Sequence, residues 1–124
     1  MKRILIVEDD DFSGELMREA LSGGELEVTV VKTGAEALKL ARFERYHLMV
    51  TDIRLPDTNG IELAHQIRAI GWSEGSAICG ISGMPLEEEE RQVFNEMFTK
   101  PISLAHFRER VLYWLQKPQR EYQP

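Results

Sequence analysis

Four short apolar runs, without regular alternation of polar residues, constrain the fold of this chain more than any other feature. They cover residues 4–7, 48–51, 78–81 and 97–99. A strand buried on one face alternates apolar and polar residues, whereas a strand buried on both faces is apolar throughout. Strands of the second kind are typical of parallel sheets that are covered by helices on both sides. We therefore predict a parallel sheet at the centre of the protein.

Helix signals lie between these runs, so that strand and helix alternate five times. Asp10 or Asp11, Thr33 and Asn59 are residue types that cap helix N-termini, and Thr33 with Glu36 has the spacing of a capping box. Such alternation predicts right-handed crossovers and a three-layer α/β sandwich. The predicted strands are residues 3–8, 27–32, 47–52, 77–82 and 96–99, and the predicted helices begin near residues 12, 34, 60, 85 and 104.

Composition and charge exclude several classes of protein. The 124 residues suffice for one domain. A net charge of −6 argues against binding to nucleic acid or to an anionic membrane, and no apolar stretch approaches the roughly 20 residues that cross a bilayer. The single cysteine, Cys79, excludes an internal disulfide and favours a cytoplasmic location. We expect one domain over residues 1–117 and a tail, or the start of a linker, over 118–124.

Polar residues follow the predicted strands at the points where the strands end. Glu8 and Asp9 follow the first strand, Asp52 ends the third, Ser82 ends the fourth and Lys100 follows the fifth. The carboxyl ends of parallel strands form one edge of the sheet, where ligands commonly bind. Three carboxylates in one cleft repel one another unless a cation neutralises them, and oxygen ligands suit Mg²⁺ or, alternatively, Mn²⁺. The sequence therefore predicts a metal site in which a carboxylate can act as nucleophile.

Four motifs resemble the receiver domains of bacterial two-component response regulators. They are Ile-Leu-Ile-Val-Glu-Asp-Asp at residues 4–10, Thr-Asp-Ile-Arg-Leu-Pro-Asp-Thr-Asn-Gly at 51–60, Gly-Ile-Ser-Gly at 80–83 and Thr-Lys-Pro-Ile at 99–102. The resemblance covers residues 2–117 with all motifs in the family's order. It implies a flavodoxin-like, five-stranded parallel sheet of order 2-1-3-4-5 with five helices, and a phosphoaccepting switch in a phosphorelay.

The resemblance also implies partners and a metal site. Asp52 would take a phosphoryl group from the phosphohistidine of a sensor histidine kinase or a histidine phosphotransfer domain, and an output domain or target protein would read the result. Mg²⁺ would be bound by Asp9 and Asp52 directly, by Glu8 through water and by the backbone carbonyl of Arg54. The domain would phosphorylate and dephosphorylate itself without being a turnover enzyme.

Further residues have implied roles in switching. Ser82 would be the hydroxyl that moves toward the phosphoryl group, and Lys100 would be its salt-bridge partner. The Lys100–Pro101 peptide bond is expected to be cis, which X–Pro bonds tolerate. Arg54 and Met84 flank the path of attacking water in the family, and because neither is a good general base we expect a long-lived acyl phosphate.

The chain departs from the family's pattern in two places. Met97 replaces the tyrosine or phenylalanine that usually precedes the lysine by three residues, and strand alternation places Phe98 on the opposite face. The segment from Ser82 to Lys100 is shorter than usual by roughly one helical turn, about 4 residues. We therefore predict a short or displaced fourth helix and a nonstandard output face.

Two other functions compete with the phosphoaccepting switch. A degenerate receiver could act as a binding module without taking phosphate, an alternative that the altered region before Lys100 keeps open. A Mg²⁺-dependent phosphatase of the haloacid-dehalogenase type also uses an aspartyl nucleophile, but Arg54 stands where that class has its second acid. A nucleotide-binding domain is disfavoured, because no glycine-rich phosphate loop follows the first strand.

Overall fold

The computed structural model describes residues 1–72 and 76–117, which alternate strand and helix as predicted. The part predicted as a tail, 118–124, lies outside the described residues. The strands are β1 (Lys2–Val7), β2 (Leu26–Val31), β3 (Leu48–Asp52), β4 (Ala77–Ser82) and β5 (Glu96–Thr99). The helices are α1 (Asp11–Ala20), α2 (Gly34–Phe43), α3 (Gly60–Ala69), α4 (Glu88–Arg91) and α5 (Leu104–Gln116).

All five strands are parallel and form one sheet in the order β2-β1-β3-β4-β5. This order confirms the flavodoxin-like fold. The three central strands are buried along nearly their whole length, as their uninterrupted apolar sequences predict. Because all strands run the same way, the residues that follow β1, β3, β4 and β5 meet at one edge of the sheet.

Two apolar layers cover the faces of the sheet. Side chains of β1 alternate between them: Ile4 and Ile6 face the layer formed with α1 and α5, whereas Leu5 and Val7 face the layer formed with α2 and α3. Each of the four longer helices buries the residues at helical spacing that face the sheet. These are Met17 of α1, Ala37 and Ala41 of α2, Leu63, Ala64 and Ile67 of α3, and Phe107, Val111 and Leu115 of α5.

Local capping sets the beginning of each long helix. The side chain of Asp10 accepts a hydrogen bond from the Ser13 amide (2.8 Å), which assigns the cap of α1 to Asp10 rather than Asp11. Asn59 caps α3 and Ser103 caps α5 in the same way. Such caps satisfy amides that have no partner within the helix.

Helix α4 is a single turn of four residues, and the prediction of a short fourth helix is confirmed. The prediction that it begins at Pro85 was wrong. The backbone amide of Glu87 donates to the side chain of Glu90 (2.9 Å), and this capping box makes Glu87 the N-cap. The residues from Pro85 to Glu87 are therefore outside the helix. Within the described parts of the chain, no helix is long and apolar enough to cross a membrane.

Candidate functional site

Three carboxylates meet at the carboxyl edge of the sheet. Val7 of β1 pairs with Thr51 of β3, so the residues that follow, Glu8 and Asp52, lie side by side. Together with Asp9, they offer carboxylate oxygens that all lie within 4.8 Å of one another. Glu8 and Asp52 are only 2% and 5% exposed, whereas Asp9 is exposed. The cluster therefore has two buried acids and one acid open to solvent.

Lys100 supplies the positive charge of the cluster. Its ammonium Nζ donates a hydrogen bond to Asp52 Oδ2 (2.6 Å) and lies 3.8 Å from Glu8 Oε1. Partial burial favours a lower pKa for Lys100, but the hydrogen bond to Asp52 and the neighbouring carboxylate charges outweigh it and raise the pKa above its ordinary value. Lys100 is therefore charged and bridges two of the three acids.

Glu8 is the acid of the cluster whose charge is least well stabilised. Its Oε2 accepts a hydrogen bond from the Asp10 amide (3.2 Å), but among the described residues its buried Oε1 has no hydrogen-bond partner. Burial is the largest cause that raises the pKa of Glu8 to about 7, and the charge of Asp52 raises it further, against the Asp10 amide and Lys100. A buried oxygen without a donor is costly in a protein. An oxygen-preferring divalent cation would satisfy it.

The loop between β3 and α3 holds Asp52 from the other side. The Arg54 amide donates to Asp52 Oδ1 (3.0 Å), so each oxygen of Asp52 has a donor. The loop closes on itself, since the Gly60 amide donates to Ile53 O (2.7 Å). A Cβ at Gly60 would collide with the backbone carbonyl of Asp52, so the close approach requires glycine there. The Arg54 side chain is exposed.

Ser82 ends β4 beside this cluster, but its hydroxyl is engaged elsewhere. Ser82 Oγ donates to Met84 O (2.6 Å) and accepts from the Met84 amide (3.1 Å). The Met84 side chain is 66% exposed. The Lys100 amide donates to Ser82 O (2.9 Å), which ties the end of β5 to the end of β4. The Lys100–Pro101 peptide bond is cis.

Met97 and Phe98 lie on opposite faces of β5. Met97 packs toward the α2 and α3 side, where its sulfur would be 2.5 Å from a Cβ at Gly80, and Phe94 lies at the same spot. Phe98 packs on the other side, with its ring centroid 5.3 Å from that of Phe107. The chain thus covers the middle of β4 with a methionine and a phenylalanine, next to the single-turn helix α4.

Two polar anchors were missed in the sequence. Asp57 accepts hydrogen bonds from the Gly34 and Ala35 amides (2.9 and 3.0 Å), at the start of α2. Asn95 accepts from the guanidinium of Arg68 (2.8 Å), which joins α3 to the start of β5. In each of these two contacts, the donor and the acceptor are more than 20 residues apart in sequence. No local pattern predicts a contact at that separation, although Asp57 lies in a turn-forming stretch.

A family model described as the response regulator receiver domain matches residues 4–112. The chain belongs to this family. A response regulator receiver protein of Anaeromyxobacter sp. (strain Fw109-5) is 33% identical over 106 residues, which are 84% of this chain and 44% of that protein. This receiver chain therefore spans less than half the length of that relative.

Two solved receiver structures are similar to this chain. The non-phosphorylated HemR receiver domain from Leptospira biflexa is 30% identical with a TM-score of 0.86, and the match covers 98% of this chain and 100% of that one. The response regulator TrrA from Thermotoga maritima, solved in complex with Mg²⁺-BeF, is 28% identical with a TM-score of 0.82, over 92% and 99% of the two chains. The acidic pocket of this receiver domain has the ligand chemistry for such a metal.

Proposed function

We propose that this receiver domain is a phosphoaccepting switch. Asp52 takes the phosphoryl group from a phosphohistidine: an Asp52 carboxylate oxygen forms the new P–O bond, the P–N bond to the imidazole breaks, and the donor histidine is released. The product is an acyl phosphate on Asp52. The domain undergoes its own phosphorylation and dephosphorylation and does not turn over a separate substrate.

The environment of Asp52 is the observation that supports this proposal most directly. The carboxylate is 5% exposed, yet it has an ammonium at 2.6 Å on one oxygen and the Arg54 amide at 3.0 Å on the other. Both donors can stabilise the negative charge that develops on a transferring phosphoryl group. Such electrostatic stabilisation is the main way that proteins promote this reaction. Lys100 then pairs with the phosphoryl oxygens instead of the carboxylate.

The acid cluster fits Mg²⁺, with Mn²⁺ as an alternative. Asp9 and Asp52 would hold the ion directly, Glu8 would contribute through water, and the backbone carbonyl of Arg54 would complete the protein ligands. The unpartnered Oε1 of Glu8 and the all-oxygen donor set support this assignment. When bound, the ion supplies charge neutralisation for the phosphoryl oxygens.

An apolar groove beside Asp52 suits a protein donor. It lies between α1 and the segment after β5, has a volume of about 510 Å³, and is lined by Phe12, Leu16, Pro101 and Leu104 among others. Phe12 is 72% exposed, and large exposed apolar side chains in a patch mark protein contact sites. We assign this groove to the sensor histidine kinase or histidine phosphotransfer domain. We place the domain in the cytoplasm, where its single cysteine, Cys79, stays reduced.

Ser82 carries the signal away from Asp52. When its hydroxyl turns toward the phosphoryl group, it leaves both hydrogen bonds with Met84. Residues 83–87, which lead into α4, then lose their anchor at the end of β4. This segment and the neighbouring face would be read by an output domain or a target protein. Hydrogen exchange with and without beryllofluoride and Mg²⁺ tests this step: the Met84 amide should lose protection in the bound form.

Incubation with acetyl phosphate and Mg²⁺, read by intact mass, tests the proposed chemistry. The wild type should gain one phosphoryl group and Asp52→Asn none. Asp9→Asn should reduce labelling strongly, whereas Asp10→Asn is the matched control. Asp10 is adjacent, but its carboxylate faces the Ser13 amide, and asparagine caps a helix equally well.

Each competing function gives a different result in this assay. An unlabelled wild type that still binds a partner protein would favour the degenerate binding module. Steady release of phosphate from simple phosphate esters, abolished by Asp52→Asn, would favour the phosphatase. Stoichiometric labelling without ester turnover supports the switch.

A further inference from the structure

The loop between β3 and α3 is a closed hairpin whose tip is fastened to a different helix. Its base is held by the hydrogen bond from the Gly60 amide to Ile53 O and by the pairing of Arg54 with Asn59. The Leu55 amide donates to Thr58 O (3.2 Å) across the turn. Such a short hairpin has little freedom of its own, so a force on its tip is transmitted to residue 54.

The tip is fastened by Asp57. Asp57 Oδ1 accepts from the Gly34 amide (2.9 Å) and Oδ2 accepts from the Ala35 amide (3.0 Å), the first two amides of α2. These bonds lower the pKa of Asp57, so the anchor is ionised near neutral pH. The third amide, of Glu36, is satisfied within the helix region by the Thr33 side chain (3.1 Å).

The contact is close as well as polar. A Cβ at Gly34 would lie 2.5 Å from Thr58 Cγ2, so any larger residue at this point would require the Thr58 side chain to shift. The hairpin buries Gly34, whereas the two residues that follow it in α2 are exposed to solvent. The hairpin therefore rests on α2 through a matched pair of features, a carboxylate on one side and a glycine on the other.

We infer that Asp57 is a positioning residue for the phosphorylation site. It holds the hairpin so that the Arg54 amide meets Asp52 and the Arg54 carbonyl remains available to a metal ion. Among the described residues, the side-chain hydrogen bonds of Asp57 go to α2, and Asp57 is not part of the acid cluster. Its effect is therefore carried by the hairpin. This inference rests on the proposed Mg²⁺ site.

Calorimetric titration of Mg²⁺ into the apo-protein at pH 8 tests the inference. Asp57→Ala should weaken Mg²⁺ binding about tenfold, at the lower end of the effect of residues that orient metal ligands, and Asp57→Asn should lie between it and the wild type. In acetyl phosphate labelling, Asp57→Ala should need correspondingly more Mg²⁺ for half-maximal rate, with a plateau rate within threefold of the wild type.

Thr33→Ala is the matched control. It removes the other side-chain cap of α2 and should lower Tm by a similar amount, but it does not touch the hairpin, so its Mg²⁺ affinity should stay within twofold. Equal weakening in both variants, or an unchanged affinity in Asp57→Ala, would overturn the positioning role. A wild type that binds no Mg²⁺ would instead overturn the proposed metal site, and the inference with it.

Discussion

Replacing Glu8 with glutamine should stabilise the metal-free protein at alkaline pH, although it removes a residue of the proposed site. Glu8 is 2% exposed, its Oε1 has no hydrogen-bond partner among the described residues, and Asp52 lies beside it. Burying a carboxylate in such a place is unfavourable unless a cation accompanies it. A neutral amide of the same size avoids this electrostatic cost.

The magnitude follows from the pKa of Glu8, which is raised from 4.5 to about 7 by burial first of all. Each pKa unit corresponds to about 1.4 kcal/mol, so the ionised form destabilises the fold by roughly 3 kcal/mol. Because the folded-state pKa is the higher one, the stability associated with the bound proton is fully present below about pH 4.5. It is lost as the pH rises through 7.

Urea unfolding in EDTA at several pH values measures this effect. At pH 8, Glu8→Gln should exceed the wild type by about 2 to 3 kcal/mol in the free energy of unfolding, and the advantage should shrink to about 1 kcal/mol or less at pH 5. Addition of Mg²⁺ should narrow the gap at pH 8, because it stabilises the wild type more. Glu88→Gln, an equal charge change on an exposed residue, should stay within about 0.5 kcal/mol. An advantage that does not vary with pH would refute the reasoning.

Three further substitutions probe the phosphoryl lifetime and the region before β5. Arg54→Asn should shorten the half-life of the acyl phosphate several-fold in a timed phosphate-release assay, because an amide orients attacking water better than an exposed guanidinium; an unchanged half-life would contradict it. Asn95→Ala should cost about 1 to 3 kcal/mol in urea unfolding, since it removes an oxygen that accepts from both the Arg68 guanidinium and the Ile78 amide; a loss below about 0.5 kcal/mol would contradict the anchoring role. Gly80→Ala should cost a similar amount by collision with Met97, and the double variant with Met97→Ala should lose less stability than the sum of the two single losses.

The fold was predictable from the sequence because its determinants are local. Uninterrupted apolar runs identified β1, β3 and β4, and the strands begin and end within one residue or two of the predicted positions. Capping residues identified the starts of the long helices for the same reason. The start of α4 was misplaced because Pro85 is permitted, but not required, at a first helical turn, and the reciprocal bonds of Glu87 and Glu90 determine the boundary instead.

The site was predictable in membership but not in geometry. Residues at the carboxyl ends of parallel strands must meet, so Glu8, Asp52 and Lys100 could be grouped from the sequence alone. The sequence contains no signal that Lys100 would contact Asp52 at 2.6 Å while one oxygen of Glu8 lacks a donor. Those features depend on side-chain placement across three strands. The role of Asp57 could not be predicted for the same reason, since its hydrogen-bond partners are 23 and 22 residues away in sequence.

The segment before β5 contains the single-turn helix α4 and is fixed to the sheet and to α3 by its own contacts. Phe94 and Met97 cover Gly80, and Asn95 joins the segment to α3 through Arg68. These contacts hold the Met97 side chain packed against β4 rather than free to turn. In the proposed switch, movement that begins at Ser82 would therefore pass through residues 83–87 rather than through β5. The proposed phosphorylation site and its proposed readout are separable, because different contacts hold each of them.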